Sequence, residues 1–461
     1  MVSAKSVGKY RAPTAVLDVD AYPVAPPELE LEQVHVYIRH GERTPVSVRM
    51  SEQPASIPEH WIMCNHSRNF RVAMKEFQGS SDAINLDPAS LLDAPTKVQS
   101  PHGNVKRVVE RGNGMAMEGE CLLGQLSDLG KETTHNYGLA LRRLYIDRLK
   151  FLPTTLSRQS DAYFRSTNIP RTIESLQEII HGLYPAANCS PGVTPELRVR
   201  NGRDENLLGN TLACKRLSVL LVNFADAAAA AYNPVLEPLD EKISKYIGGN
   251  PVRINGQPRA SGILDTVRSA MAHGVKLPPE FEERSVMETI EKAVVNEWFA
   301  GYKTEEVRRL GMGRLLGDLV SKMQSRAREA DGAAEAGVPR ILVHSTHDTA
   351  LAALTSTLDV FDNRWPAFTA SVTFELFRRT SATGDHAHGG GIMLTFFLPF
   401  SPSGRTDVRA RYQNRSLQLP LCADEGKHLP GAPEFCTLGA FAERVAELVP
   451  RDWEAECAVK S

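Results

Sequence analysis

The chain is short of net charge: 53 Lys and Arg stand against 55 Asp and Glu in 461 residues, a formal charge of -2. Nucleic-acid binding needs a basic face for the phosphate backbone, so no nucleic-acid partner is expected. Long apolar runs are missing too. The longest, around residues 391–400 and 227–231, fall far below the ~18–20 residues of a spanning helix, so no transmembrane segment is expected. No apolar stretch follows Lys5, Lys9 and Arg11 to make a secretory signal. Cysteine is sparse, and none of the seven (Cys64, Cys121, Cys189, Cys214, Cys422, Cys436, Cys457) stands in a C-x-x-C pair. Zinc and thioredoxin-like chemistry therefore lose their usual signal. Internal repeats are absent. The material for a core is there: 42% hydrophobic and 23% charged residues are globular values.

Residues 1–30 are Pro-rich and aperiodic and read as a disordered tail. The basic, acid-free first residues also allow a mitochondrial presequence. Val34, Val36 and Ile38 alternate with His35 and Tyr37 as a strand does. The strand ends in the loop Arg39-His40-Gly41-Glu42-Arg43-Thr44-Pro45. Residues 46–121 are rich in turn formers, with Trp61 and Met63 as isolated anchors. A helix follows Gln125-Leu126-Ser127-Asp128-Leu129-Gly130, with Ser127 as N-cap. Residues 160–164 read as a strand. An amphipathic helix with Ile173, Leu176, Ile179, Ile180 and Leu183 on one face comes next, capped at Asn168 with Pro170 in its first turn.

Residues 200–335 read as mostly helical and 332–337 as a small-residue linker. Arg340–His344 reads as a buried strand leading into Ser345-Thr346-His347-Asp348 and a helix with Leu351, Leu354 and Leu358. Residues 371–377 and 391–399 read as a hairpin around a Gly/His turn. Strands alternate with helices at both ends of the chain. The expected architecture is an α/β core of residues 31–199 and 336–461, a sheet flanked by helices, with residues 200–335 inserted as a helical cap.

Strand-to-helix junctions here carry Arg, His or Asp, and α/β sheets bind ligands at the carboxyl ends of their strands. Arg39, His40, Arg43, Arg171, His347 and Asp348 can thus converge although distant in sequence. Three arginines with two histidines specify an anion, and a guanidinium fork matches phosphate. Each charge-assisted hydrogen bond contributes roughly 1.5–3 kcal/mol. Any one of these residues alone is a solvated charge or a satisfied histidine; their joint occurrence carries the reading. His60 and His66 read as loop residues, His386 and His388 as a surface turn rather than a metal site, and Met271 and Met312 as core or cap residues.

Arg39 to Pro45 resembles the R-H-G-x-R-x-P signature of the histidine phosphatase superfamily, acid phosphatase branch (branch 2). His347-Asp348 resembles its downstream H-D pair, and Arg165-Ser166-Thr167 with Arg171 its R-S-T-x-x-x-R-T element. The likeness runs from about residue 30 to 457. It includes Gln125–Gly130 and the ending Trp453-Glu454-Ala455-Glu456-Cys457. Phe164 to Ile169 and Val360 to Phe368 are similar to the lysophosphatidic acid phosphatase (type 6) group within the branch.

The resemblance implies a phosphoglycerate-mutase-like α/β sandwich and a metal-independent phosphomonoesterase without cofactor, in which the arginines supply the positive charge. It implies His40 as nucleophile, Asp348 as proton donor, and Arg39, Arg43, Arg171 and His347 as phosphate ligands. Arg165 becomes a structural partner. Gly41 is expected to let the backbone approach the phosphate. The partner is a small-molecule or lysolipid phosphate monoester; the oligomeric state is left open. A phytase or sugar phosphatase of the same branch stays as an alternative, as does a non-catalytic phosphate or lipid binder. The resemblance also implies a Cys214–Cys457 bridge, and Cys422 with Cys436 bracket a loop that a second bridge can close. Disulfides belong to oxidising compartments, whereas the missing signal and the mitochondrial type 6 member point to an intracellular, mitochondrial setting.

Overall fold

The alternation at Val34, Val36 and Ile38 forms strand β1 (Leu29–Arg39), yet the residues between them are buried as well. A strand buried on both faces lies at the centre of a sheet, with a packed layer on each side. The structure is a computed structural model that describes residues 10, 17–65, 69–72, 103–330, 337–380 and 406–459. The described residues form two compact units, residues 1–59 with 123–461, and residues 60–122.

The smaller unit has two short antiparallel pairs. β2 (Asn69–Val72) pairs with β3 (Gly103–Lys106), and β4 (Val109–Glu110) with β5 (Ala116–Met117). Within it a Cys64–Cys121 disulfide, Cα atoms 5.2 Å apart, lies beside buried Trp61. His60 pairs with Glu120 at 2.7 Å.

The larger unit carries the sheet. Its further strands are β6 (Ala162–Ser166), β7 (Leu197–Arg198), β8 (Ile341–Thr346), β9 (Ser371–Arg379), β10 (Thr406–Tyr412), β11 (Arg415–Leu417), β12 (His428–Leu429) and β13 (Ala432–Thr437). Their order is β12-β13-β10-β9-β1-β8-β6-β7, with β11 on β10. β1, β8, β6 and β7 run parallel, and β9 joins β1 antiparallel, so the sheet is mixed. Helices cover both faces. α1 (Asp128–Leu141) and α2 (Pro170–Leu183) pack with Val34, Val36, Ile38, Phe164 and Val343. On the other face Tyr37, Phe374 and Val408 meet α8 (Arg314–Ala330), α9 (Asp348–Thr357) and α10 (Leu438–Leu448). The alternating directions of strand side chains send odd and even positions to these two layers.

The segment 200–335 is mostly helical: α3 (Lys215–Leu236), α4 (Asp240–Ile243), α5 (Ala260–Ala272), α6 (Arg284–Phe299), α7 (Glu305–Arg308) and α8. It belongs to the same unit as the sheet, because Leu316, Leu319 and Met323 of α8 form an apolar stripe packed in the sheet's own core. The run Lys215–Tyr246, helical over 32 residues, has an 18-residue window of mean hydropathy 1.3 that is 17% buried. By length and composition it is apolar enough to cross a membrane. A search for uninterrupted apolar runs passes over it because Asn223 and Asp226 break the run.

Two expectations need revision. The tail does not extend to residue 30, because Leu17, Val19 and Tyr22 pack into the α1–α2 core. Pro-rich composition marks an extended strap here, not disorder. Arg409 donates to the Pro23 carbonyl at 2.6 Å and to the Tyr22 hydroxyl at 2.7 Å. That hydroxyl and Tyr145 donate to Glu375, which also receives Arg409 and Arg411. The cap of α2 is Ile169, not Asn168; a residue before proline is held extended, which puts the boundary there. β9 pairs with β10 as well as β1; the expected strand 391–399, the turn with His386 and His388, and His66 lie outside the described residues, as do residues 1–9, 11–16 and 331–336 of the tail and linker.

α11 (Trp453–Cys457) ends the fold, and Cys457 is bonded to Cys214 with Cα atoms 4.6 Å apart. Cys422 and Cys436 are bonded with Cα atoms 5.5 Å apart, and Cys189 is free.

Candidate active site

The register of the parallel strands builds the site. Arg39 stands opposite Thr346, and Ser166 opposite Ser345. β1, β8 and β6 therefore end level, and the next residues of each chain segment, His40, His347 and Thr167, leave the sheet side by side. The His40 and His347 rings lie 5.6 Å apart. Thr167 Oγ1 meets His347 Nε2 at 3.0 Å and orients that ring. His347 is the N-cap of α9 and Asp348 its first residue. Arg171 is the second residue of α2, after Pro170.

Arg39 Nη2 pairs with Asp348 Oδ2 at 2.7 Å, and its Nη1 donates to the Pro366 carbonyl at 2.6 Å. Its guanidinium lies 4.0 Å from the Phe368 ring centroid. Arg43 pairs with Asp265 of α5 at 2.8 Å. Asp265 also accepts the Val46 backbone N–H at 3.0 Å, which fixes the loop beyond the signature. The Nε–H groups of Arg39, Arg43 and Arg171 are buried without hydrogen-bond partners. A buried donor left unpaired costs about 1–3 kcal/mol. Unpartnered donors on three arginines of one cluster suit an anion with several acceptor oxygens.

His40 Nδ1 sits 2.8 Å from the Gly41 carbonyl. A carbonyl only accepts, so Nδ1 carries the ring hydrogen and Nε2 keeps its lone pair. Burial, then Arg39, Arg171 and Arg43, hold the His40 pKa well below the usual histidine value. His347 is lowered to about 3, by burial and then Arg171. Burial pushes the Asp348 carboxyl up, but Arg39 and Arg43 outweigh it and hold the carboxyl below its ordinary value. The site is thus two neutral imidazoles and an ionised carboxylate among three arginines.

Gly41 is also required by a close backbone approach. A Cβ there would stand 2.8 Å from the Gly130 Cα and closer to its carbonyl oxygen; a Cβ on Gly130 would collide with Glu42. The two backbones touch because Gln125–Gly130 runs against the signature loop. Thr44 N donates to the Gln125 carbonyl at 3.1 Å, Ser127 N to the Glu42 carbonyl at 3.0 Å, and Ser127 Oγ caps α1 at Gly130 N.

A family model of the histidine phosphatase superfamily (branch 2) matches residues 30–388. The chain belongs to that superfamily. A probable acid phosphatase of Schizosaccharomyces pombe is 34% identical over 481 residues, covering 99% of each chain. A lysophosphatidic acid phosphatase type 6 of Bos taurus is 24% identical over 360 residues, covering 76% of this chain and 74% of its own. In fold, the chain is similar to the apo form of a Hafnia alvei phytase, with TM-score 0.53 at 14% identity, covering 95% of this chain and all of that one. This histidine phosphatase is a phosphoric monoester hydrolase of the acid phosphatase type.

All six residues singled out in the sequence belong to this one cluster. Arg165, also in the motifs, points elsewhere and pairs with buried Glu205. Asp265 carries no motif, and Trp365 and Phe368, though inside the matched segment Val360 to Phe368, were given no role in the site by the sequence. Their signal is spatial: Trp365 Nε1 donates to Asp348 Oδ2 at 3.0 Å, and Phe368 lies under both Arg39 and Arg43.

Proposed function

We propose that this histidine phosphatase cleaves phosphate monoesters through a phosphohistidine on His40, and that its ester carries an apolar tail, as lysophosphatidate does. The observation that carries the mechanism is the His40 ring, with Nδ1 tied to the Gly41 carbonyl and the imidazole held neutral. Nε2 attacks phosphorus and the ester P–O bond breaks. The leaving alkoxide takes a proton from Asp348. Arg39, Arg43, Arg171 and His347 hold the three non-bridging oxygens and offset their charge. Asp348, now ionised, takes a proton from the attacking water, and phosphate leaves His40.

Asp348 must enter the first step protonated, although Arg39 and Arg43 hold it ionised at rest. A substrate dianion engages those arginines and adds negative charge nearby, which raises the carboxyl toward protonation. Acid medium supplies the proton. His40 stays a neutral nucleophile there because its own pKa lies well below the usual value. An acidic optimum follows.

The substrate reading rests on the rim and on resemblance. Val46 and Val48, directly beyond Arg43, are exposed hydrophobic side chains. Phytate, densely charged, calls for cations at such positions. The type 6 relative, a lysophosphatidic acid phosphatase, adds support.

The test is phosphate release from lysophosphatidate, phytate and a sugar phosphate, with an alkaline quench to trap phosphorylated His40. Lysophosphatidate is expected to have the highest kcat/KM, and His40→Ala to abolish both turnover and trapping. Preference for phytate overturns the apolar-tail reading. Turnover by His40→Ala overturns the nucleophile.

A further inference from the structure

Asp348 Oδ2 has two donors, Arg39 Nη2 at 2.7 Å and the indole Nε1 of Trp365 at 3.0 Å. Oδ1 accepts the Thr349 backbone N–H at 2.8 Å. An oxygen that already receives a guanidinium and an indole acts only as acceptor, so the acidic proton belongs on Oδ1. Trp365 is itself pinned. Its backbone N–H donates to Glu291 Oε1 at 2.7 Å, and its carbonyl accepts from Arg268 Nη1 at 3.0 Å. Arg268 and Glu291, on α5 and α6, form a buried pair at 2.9 Å. The Trp365 ring packs on Phe299 at 5.3 Å and edge-on to Trp298 at 6.0 Å. A buried ion pair and two aromatic rings thus fix one N–H on the carboxylate.

We infer that Trp365 is a positioning residue for the proton donor: its indole fixes Oδ2, assigns the transferable proton to Oδ1, and sets the pH at which Asp348 gives it up. The inference rests on Asp348 being the donor. The groups facing Asp348 are Arg39 from β1, Arg43 from the loop after it, Arg171 from α2, and His347 beside it. None of them touches Trp365 Nε1, so removing that N–H changes one interaction of the carboxylate. A hydrogen bond to the charged form favours that form, and its loss raises the carboxyl pKa.

The experiment replaces Trp365 by phenylalanine and, separately, by benzothienylalanine, which keeps the indole shape without the N–H. The readout is the pH profile of kcat/KM on one alkyl phosphate, so that substrate ionisation cancels between variants. The alkaline limb is expected to move up by about one pH unit in both variants, with inhibition by inorganic phosphate changed less than twofold. Asp348→Asn is the control. If Asp348→Asn abolishes turnover of the alkyl phosphate and neither Trp365 variant moves the limb, Trp365 is only packing and the inference fails. If Asp348→Asn keeps turnover and the limb, the donor reading itself fails. Should the phenylalanine variant not fold, the isosteric replacement decides alone.

Discussion

Arg171 owes its place to one proline. Pro170 starts α2 with a φ already suited to the helix, and the second residue then projects from the N-terminal turn at the carboxyl edge of the sheet. Its buried Nε–H has no partner within the protein. Arg171→Ala is expected to lower kcat/KM by about 10²–10³, the loss typical of one oxyanion donor. Arg171→Lys restores part of that, since a point charge replaces a planar fork. Steady-state kinetics on one monoester checks both; equal kcat/KM for Arg171→Ala and the parent removes Arg171 from the site. The six site residues were legible because their chemistry is local to a motif. The contact of Gly41 with Gly130 was not, because Gly130 lies far along the chain and only the fold brings the two backbones together.

Strand ends and helix starts do the assembling. β1, β8 and β6 finish in register, and α9 begins on the very pair His347-Asp348. That much was readable, because a buried strand, a polar loop and an apolar helix each leave a pattern in the sequence. Asp265 on α5 left none, and the match over Val360 to Phe368 gave Trp365 no role: an aspartate on a helix and a tryptophan after Arg364 look like surface and packing residues until their partners are known. At the start of α9 the donor can be isolated by leaving group. Asp348→Asn is expected to lose about 10²–10⁴ in rate on an alkyl phosphate and far less on a nitrophenyl ester, whose phenolate leaves without a proton. Equal losses on the two esters tell against Asp348 as the acid.

The whole molecule keeps several histidines neutral. His344 is sandwiched between Tyr37 at 4.6 Å and Tyr163 at 5.6 Å, and neither ring nitrogen has a hydrogen-bond partner. Burial, then His35, Arg165 and Lys322, lower its pKa well below the usual value, and burial with Lys322 lowers His35 to about 3. Unfolded, these residues take up protons below about pH 6.5; folded, they do not. Stability is therefore lost as pH falls from about 6.5 toward 3. Glu375 adds to the loss further down: burial raises it, but Arg411 and Arg409 bring it to about 2, so its contribution disappears between its unfolded value and that one. His344→Phe removes one such proton and fills the slot between the tyrosines. Urea denaturation at pH 7 and pH 5 is expected to show a smaller acid penalty for this variant, by about 1.4 kcal/mol per pH unit below 6.5. Identical penalties disprove it. The sandwich itself was readable from alternating strands and helices, but the packing of α8 into the sheet's own core was not. Periodicity reports that a helix such as α8 has an apolar face, and is silent on which layer that face meets.

Tyr22 gives proteolysis a limit. Its hydroxyl closes the cluster of Glu375, Arg409, Arg411 and Tyr145, and Pro23 receives Arg409 beside it. Enzymatic trimming or a cloning boundary that removes residues up to 23 uncaps a cluster of one carboxylate and two guanidinium groups at the back of the sheet. A chain beginning at residue 24 is expected to melt several degrees lower and to be cleaved faster by trypsin at the newly accessible arginines. One beginning at residue 17 keeps Leu17, Val19 and Tyr22 and should melt closer to the parent. Differential scanning fluorimetry of the two truncations, run side by side, tells whether the strap is part of the fold's permanent inventory or an expendable leader.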